Sequence, residues 1–293
     1  MQKINAFISK YYFWLIVIGS IGAIWALFVP GYFGASDDVH IAWLYQMDYV
    51  LKIGQFPPRY VPDLSFGFGY PLFNFVFPLP YYIAEIFYVL GFSLVDSTKI
   101  VFGLTIPASM LGMFFLGRRF VDPALALAMA VMYGYAPYRA VDLYIRGAFG
   151  EIVALMLLPW LVWSVCGVMD VSQVLWYRIR MVFIGGLMIG LFILSHNISA
   201  YMFMPWLAIL GVLLLFGTGK YWRLQIGYLG IMFGLGLLAS SYFWIPALFE
   251  SRLMKYDTVF NFIDHFPTIK QLMTPYWGYG ASVAGPYDGM SFV

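Results

Sequence analysis

Apolar residues run along this chain in blocks rather than stripes. Stretches at about 11–29, 100–117, 122–136, 150–168, 181–197, 200–217 and 225–245 are apolar nearly all round. Helices that are hydrophobic on every side belong in lipid or deep in a core, and most of these runs reach the roughly 17–25 residues that a spanning helix needs. The pattern predicts an all-α polytopic membrane protein of about seven transmembrane helices. Segment 70–90, "YPLFNFVFPLPYYIAEIFYVL", breaks the pattern with Pro71, Pro78, Pro80, Asn74 and Glu85. Prolines remove backbone donors that lipid cannot replace, and a mid-bilayer carboxylate is costly. This segment therefore reads as an interfacial or re-entrant piece, rich in the Tyr and Phe that favour the headgroup layer.

Composition agrees with a lipid setting: 62% of residues are hydrophobic, 21% aromatic and 10% charged. The single cysteine, Cys166, falls inside a predicted span, which excludes a disulfide framework and a thiolate metal site. A net charge of +2 without a basic patch gives no sign of nucleic-acid binding. The first apolar run follows Lys3 and Lys10 and is longer than the roughly 7–15-residue core of a cleaved signal, so it reads as a retained anchor.

Charge then sets the topology. If 70–90 does not span, Lys3, Lys10, Arg118, Arg119, Arg178, Arg180, Lys220 and Arg223 lie on the cytoplasmic side, and an equal number of Lys and Arg lie outside. Clustering decides, because the pairs Arg118/Arg119, Arg178/Arg180 and Lys220/Arg223 sit in short loops close to span ends, where positive charge favours the cytoplasm most strongly. The N-terminus is then cytoplasmic, with a first outer loop at 30–99 and a second at 137–151. Residues 1–245 form the membrane domain, and 246–293 begin an extracytoplasmic segment. The chain reads as the N-terminal part of a longer protein.

With this topology four polar groups reach the outer face: "SDDVH" at 36–40, "PYRAVDLYIRGAFGE" at 137–151, "SHNIS" at 195–199 and "WIPALFESR" at 244–252. Each has a structural reading when taken singly. Asp37 and Asp38 are placed to cap a helix over "VHIAWLYQMDYVLK"; Glu151 suits a helix N-terminus; Arg139 and Asp142 are spaced to pair; His196 and Asn197 suit an interfacial cap. His40 and Glu250 are unremarkable alone. The functional reading is that Asp37 and Asp38 face Glu151 and the anion-binding Arg146. Two adjacent carboxylates near a low-dielectric surface call for a cation, a metal or a proton.

In this order, acids in the first outer loop and an arginine and an acid in the second, the chain resembles the GT-C superfamily of membrane glycosyltransferases. More closely, "SDDVHIAWLYQMDYVLKIGQFPPRYVPDLSFGFGYPLFNFVFPLPYYIAE", "APYRAVDLYIRGAFGEIVALMLLPW", "LSHNISA" and "YFWIPALFE" resemble a bacterial membrane family labelled "6-pyruvoyl-tetrahydropterin synthase-related". The pterin chemistry in that label is not expected here. It needs a three-histidine zinc site, and His40, His196 and His265 lie on separate segments with no HxH spacing.

The resemblance implies a GT-C-like helical bundle in a bacterial cytoplasmic membrane that transfers sugar from a polyprenyl-phosphate donor. In that reading Asp37, Asp38 and Glu151 are catalytic, with Asp37 or Asp38 acting as general base or binding a divalent metal, Mg or Mn. His40, Arg59, Arg139, Arg146, His196, Asn197 and Glu250 contact substrate, with Arg146 on the donor phosphate. Segment 70–90 contributes to the lipid-donor groove. The second loop carries a single Glu151 where the oligosaccharyltransferase branch has paired acids. The alternative is a transporter or flippase that uses the same charges to bind a lipid-linked or anionic solute. Spans clean of midspan charge argue against a conduit.

Overall fold

The computed structural model describes residues 1–254, together with a two-residue parallel pairing of Pro275–Tyr276 with Met290–Ser291. With non-helical stretches at 29–39 and 53–71, residues 1–254 are mostly helical. In chain order they form α1 (Gln2–Ile24, extended by a 3₁₀ turn to Phe28), α2 (His40–Lys52), α3 (Leu72–Phe75), α4 (Leu79–Val89), α5 (Leu94–Gly117) and α6 (Pro123–Gly134). They continue with α7 (Pro137–Val141), a π-helical turn over Asp142–Arg146, α8 (Phe149–Met169), α9 (Leu175–Ser195), α10 (Asn197–Leu215), α11 (Trp222–Ala239) and α12 (Ser241–Glu250).

Five stretches are long and apolar enough to cross a membrane: Gln2–Phe28, Leu94–Gly117, Phe149–Met169, Leu175–Ser195 and Asn197–Ala239. The last is broken at Gly219 (φ 55°, ψ −129°), between α10 and α11. The segment expected to span at 122–136 is too short to count among them. Asp122 caps α6 with its side chain and Pro123 opens it, but its 12 residues rise only about 18 Å. In segment 70–90, α3 and α4 have 4 and 11 residues, and neither is long enough to cross a membrane. The stretch expected as the first outer loop, 30–99, contains α2, α3 and α4.

The core is a sandwich of α5, α8, α9 and α11, with α4 and α2 packed over one end and α1 and α6 along one side. Where α9 crosses α11 the backbones nearly touch. A Cβ on Gly190 would lie 3.3 Å from the Gly236 carbonyl, and one on Gly236 would lie 2.3 Å from the Ile189 side chain. In lipid, small residues at a crossing let packing replace the absent hydrophobic drive.

The two ends of this bundle differ in chemistry. At one end the Asn5 side chain accepts from the Ala124 N–H, and the Arg119 guanidinium donates to the Tyr177 hydroxyl at 2.6 Å. Arg118, Arg119, Arg178 and Arg180 therefore collect there. The other end gathers the loops after α1, before α8 and between α9 and α10.

Candidate active site at one end of the bundle

Two backbone hydrogen bonds join the loop after α1 to the π-helical turn before α8. The Ser36 N–H donates to the Ile145 carbonyl at 2.9 Å, and the Asp37 N–H donates to the Arg146 carbonyl at 2.7 Å. The junction requires a glycine. Gly147 sits at φ 68°, and a Cβ there would come within 2.8 Å of the Ala35 Cβ. We expect Gly147→Ala to cost about 1–2 kcal/mol for the left-handed backbone alone, seen as a lower Tm in detergent. The Ala35 contact should add to that loss by parting the two loops.

The π-helical turn ends in Arg146, and one of its nitrogens carries three bonds. Nη1 donates to Asp142 Oδ1 at 3.0 Å, to Glu151 Oε2 at 2.7 Å and to the Tyr138 hydroxyl at 3.0 Å. Tyr138 in turn donates to Glu151 Oε1 at 2.5 Å. All three contacts use Nη1, which leaves Nη2 and Nε of a partly exposed guanidinium uncommitted among the described residues. Single π turns recur at functional sites because they re-aim the side chains that follow them.

Burial shapes the electrostatics. Asp142 is fully buried, and its carboxyl is pushed up to about 8, first by desolvation, then by Glu151, with Arg146 opposing. Asp37 is raised, first by desolvation, with Arg146 pulling it down and Glu151 pushing it up, which places its carboxyl in the field of both. Neither aspartate caps a helix: α2 starts at His40, and its capping position is Val39, without a side-chain bond. The expectation that Asp37 or Asp38 is an N-cap is thus corrected. The chain places Asp38 exposed and Asp37 half-buried, and neither carboxylate makes a hydrogen bond among the described residues.

The remaining candidates divide between neighbours of the cluster and fasteners. His196 lies beside it: burial lowers its pKa, Glu151 opposes and Arg146 adds. Its Nδ1 caps α10 by accepting from the Ser199 N–H, so the cap reading also holds. His40 is buried, with Nδ1 2.7 Å from the Tyr81 hydroxyl and Nε2 accepting from the Phe149 N–H at 3.4 Å. Burial drives it down to about 4, with the Gly147 backbone opposing. It is a neutral bracket between α2, α4 and α8. Arg59 donates to the Tyr242 carbonyl, Asn197 to the Phe75 carbonyl, and Glu250 accepts from Asn74. These three tie the 53–75 stretch to α10 and α12 and make no bond to the acidic cluster.

Arg139 and Asp142 do not pair as their spacing suggests. Arg139 is buried, donates to the Thr105 carbonyl and lies 5.2 Å from the Tyr133 ring centre, while Asp142 gives its oxygen to Arg146. Three residues absent from the sequence-based set belong to the site: Asp142, Tyr138 and Tyr32. The buried Tyr32 hydroxyl has no hydrogen-bond partner among the described residues, and its pKa is pushed up to about 12 by burial, then by Asp38 and Asp37. The four-residue spacing of Asp142 and Arg146 is a visible signal; nothing in the sequence marks Tyr32. His265 lies outside the described residues.

Among the described residues no three His, Cys, Asp or Glu side chains group to hold a metal ion. A divalent metal seeks several free oxygens, and here a guanidinium faces oxygens of both Asp142 and Glu151. Asp142 and Glu151 are therefore engaged by Arg146, and the expected Mg or Mn ligands Asp37 and Asp38 form no group of three with another such side chain among the described residues. Comparisons with known proteins match nothing: no family model, no curated protein and no solved structure is similar to this chain.

Proposed function

We propose that the chain is an integral membrane glycosyltransferase that transfers sugar from a polyprenyl-phosphate donor to an acceptor hydroxyl at the extracytoplasmic face. The observation that carries this reading is the junction of the two outer loops, which sets Asp37 beside Arg146 and Glu151. Asp37 takes the proton of the acceptor hydroxyl as its oxygen bonds to the sugar carbon. The bond from that carbon to the phosphate oxygen breaks, and the uncommitted Nη2 and Nε of Arg146 hold the departing polyprenyl phosphate. Glu151 and Asp142 fix the guanidinium in place. A carboxyl raised by burial suits Asp37 to this task, because a stronger base lies nearer the working pH.

An apolar cavity of about 460 Å³ between α1, α4, α5 and α8 gives room for part of a prenyl tail. Val153, which lines it, follows Glu151 by two residues on α8, so the cavity begins just on the membrane side of the charged cluster. Of segment 70–90, Ile83 alone reaches it.

The test is incubation of the full-length protein in vesicles with a radiolabelled sugar on polyprenyl phosphate. Label joined covalently to a new acceptor supports transfer. Label that only crosses the bilayer, still on its donor, overturns it in favour of transport. The orientation has its own test. Cysteine introduced at the exposed Asp63 is expected to react with a membrane-impermeant thiol reagent in intact cells, and cysteine at the exposed Ser172 is not. The reverse pattern would place the acidic cluster in the cytoplasm.

A further inference from the structure

A second pair of acids lies away from the cluster, where α2 packs on α4. Asp48 of α2 and Glu85 of α4 are 5% and 8% exposed, and their carboxyl groups are in hydrogen-bond contact. Two carboxyl groups in contact out of water cannot both ionise cheaply, so the contact needs a proton between them. The other Glu85 oxygen, Oε2, is buried with no hydrogen-bond partner among the described residues, so no other donor relieves the charge. Lys52, on the rim, bonds Asp48 Oδ2 at 2.7 Å, with its ammonium 5.7 Å from the Tyr88 ring centre on α4. This one exposed ammonium offsets one of two negative charges.

Among the described residues the surroundings supply no second cation. Lys99 of α5 spends its ammonium on the Val29 and Gly31 carbonyls; Asp96 of α5 is bonded to Ser93; Glu151 of α8 is held by Arg146. Arg178 and Arg180 of α9 stand at the opposite end of the bundle. Gln46, on α2, donates to Asp63. The charges acting on Glu85 are Asp48 and Lys52.

The geometry points to a pH-sensitive clamp, in which a proton shared by Asp48 and Glu85 holds α2 against α4 and its loss loosens them. Burial, followed by Asp48, raises Glu85 from 4.5 to about 7. Because the folded pair favours the neutral acid, the clamp is fully closed below 4.5 and weakens as pH rises through about 7. The consequence reaches the acidic cluster. α2 starts at His40, two residues after Asp38, and α4 supplies the Tyr81 hydroxyl that meets His40 at 2.7 Å. Loosening α2 from α4 therefore loosens the mount of the first outer loop.

The test is amide hydrogen exchange of the full chain in lipid nanodiscs, followed over α2 and α4 and corrected for the intrinsic pH dependence of exchange. Between pH 5.5 and 8 the wild type is expected to lose protection there on the order of tenfold. Glu85→Gln and Glu85→Met carry no acid at this position, so their protection should be flat over the same range. Asp142 also titrates near this range, but it is intact in all three proteins and drops out of the comparison. Infrared absorption from a protonated carboxyl, lost in wild type between these pH values and missing in Glu85→Gln, gives a second reading. A wild type with no change in protection, or variants that keep its slope, overturns the clamp.

Discussion

Replacing Arg146 with Met is expected to destabilise the folded protein by about 2–3 kcal/mol, because one substitution strands two carboxylates. Removing one partner of a buried ion pair typically costs roughly 3–5 kcal/mol. The lower value reflects partial exposure, since the Arg146 side chain is 25% and that of Glu151 17% exposed, while Asp142 is at 0%. The loss depends on pH. Asp142 is already pushed up to about 8 by burial, so the fold favours its neutral form, a contribution present below the ordinary 3.8 and lost as pH rises through about 8. Without Arg146 its ionisation is costlier still, so the variant should lose more at pH 8.5 than at pH 6. Adding Asp142→Asn to Arg146→Met should recover much of the stability, whereas Asp142→Asn alone should cost little. Thermal unfolding in detergent at both pH values reads all of this. An Arg146→Met protein as stable as wild type at pH 8.5 would mean that Arg146 does not hold the site together.

The second large effect is on rate. Asp37→Asn keeps the shape of the side chain and the backbone bond from its N–H to the Arg146 carbonyl. Because Asp37 caps no helix, the fold should tolerate the change. Removal of a positioned proton acceptor typically costs roughly 10²–10⁴-fold in rate. Asp37→Asn should therefore reach the membrane at normal abundance and lose sugar transfer by a factor in that range. In the wild type, transfer should rise with pH as the raised Asp37 carboxyl ionises. A variant with low abundance and a normal rate per molecule would make Asp37 structural.

Much of this arrangement is legible in the sequence, and the misses have physical causes. The span predicted at 150–168 appears as Phe149–Met169, because uninterrupted apolar residues leave few alternatives. Those predicted from 100 and 181 start earlier, at Leu94 and Leu175. Their first turns carry Asp96 and Lys99, or Arg178 and Arg180, which an apolar pattern rejects and a helix end at the interface accepts. Ser93 and Asp122 cap their helices as such residues usually do. The periodicity of α2 is visible, but its start at His40 is not, and that difference removes the capping role from Asp37 and Asp38. At the site, the grouping of the loops after α1 and before α8 at one end of the bundle is suggested by chain order. The π turn that aims Arg146, and the Tyr138 and Tyr32 hydroxyls around it, depend on tertiary contacts that no local spacing encodes. The pairing of Asp48 with Glu85, 37 positions apart on separate helices, is likewise a product of packing.

The most direct measurement is the rate of sugar transfer from radiolabelled polyprenyl-phosphate donors by full-length protein carrying both Asp37→Asn and Asp38→Asn. It should be compared with wild type at equal abundance in the membrane. With a general base between the loops after α1 and before α8, the double variant should retain less than about one hundredth of the wild-type rate. Transfer by the double variant at the wild-type rate would contradict an active site built on these carboxylates.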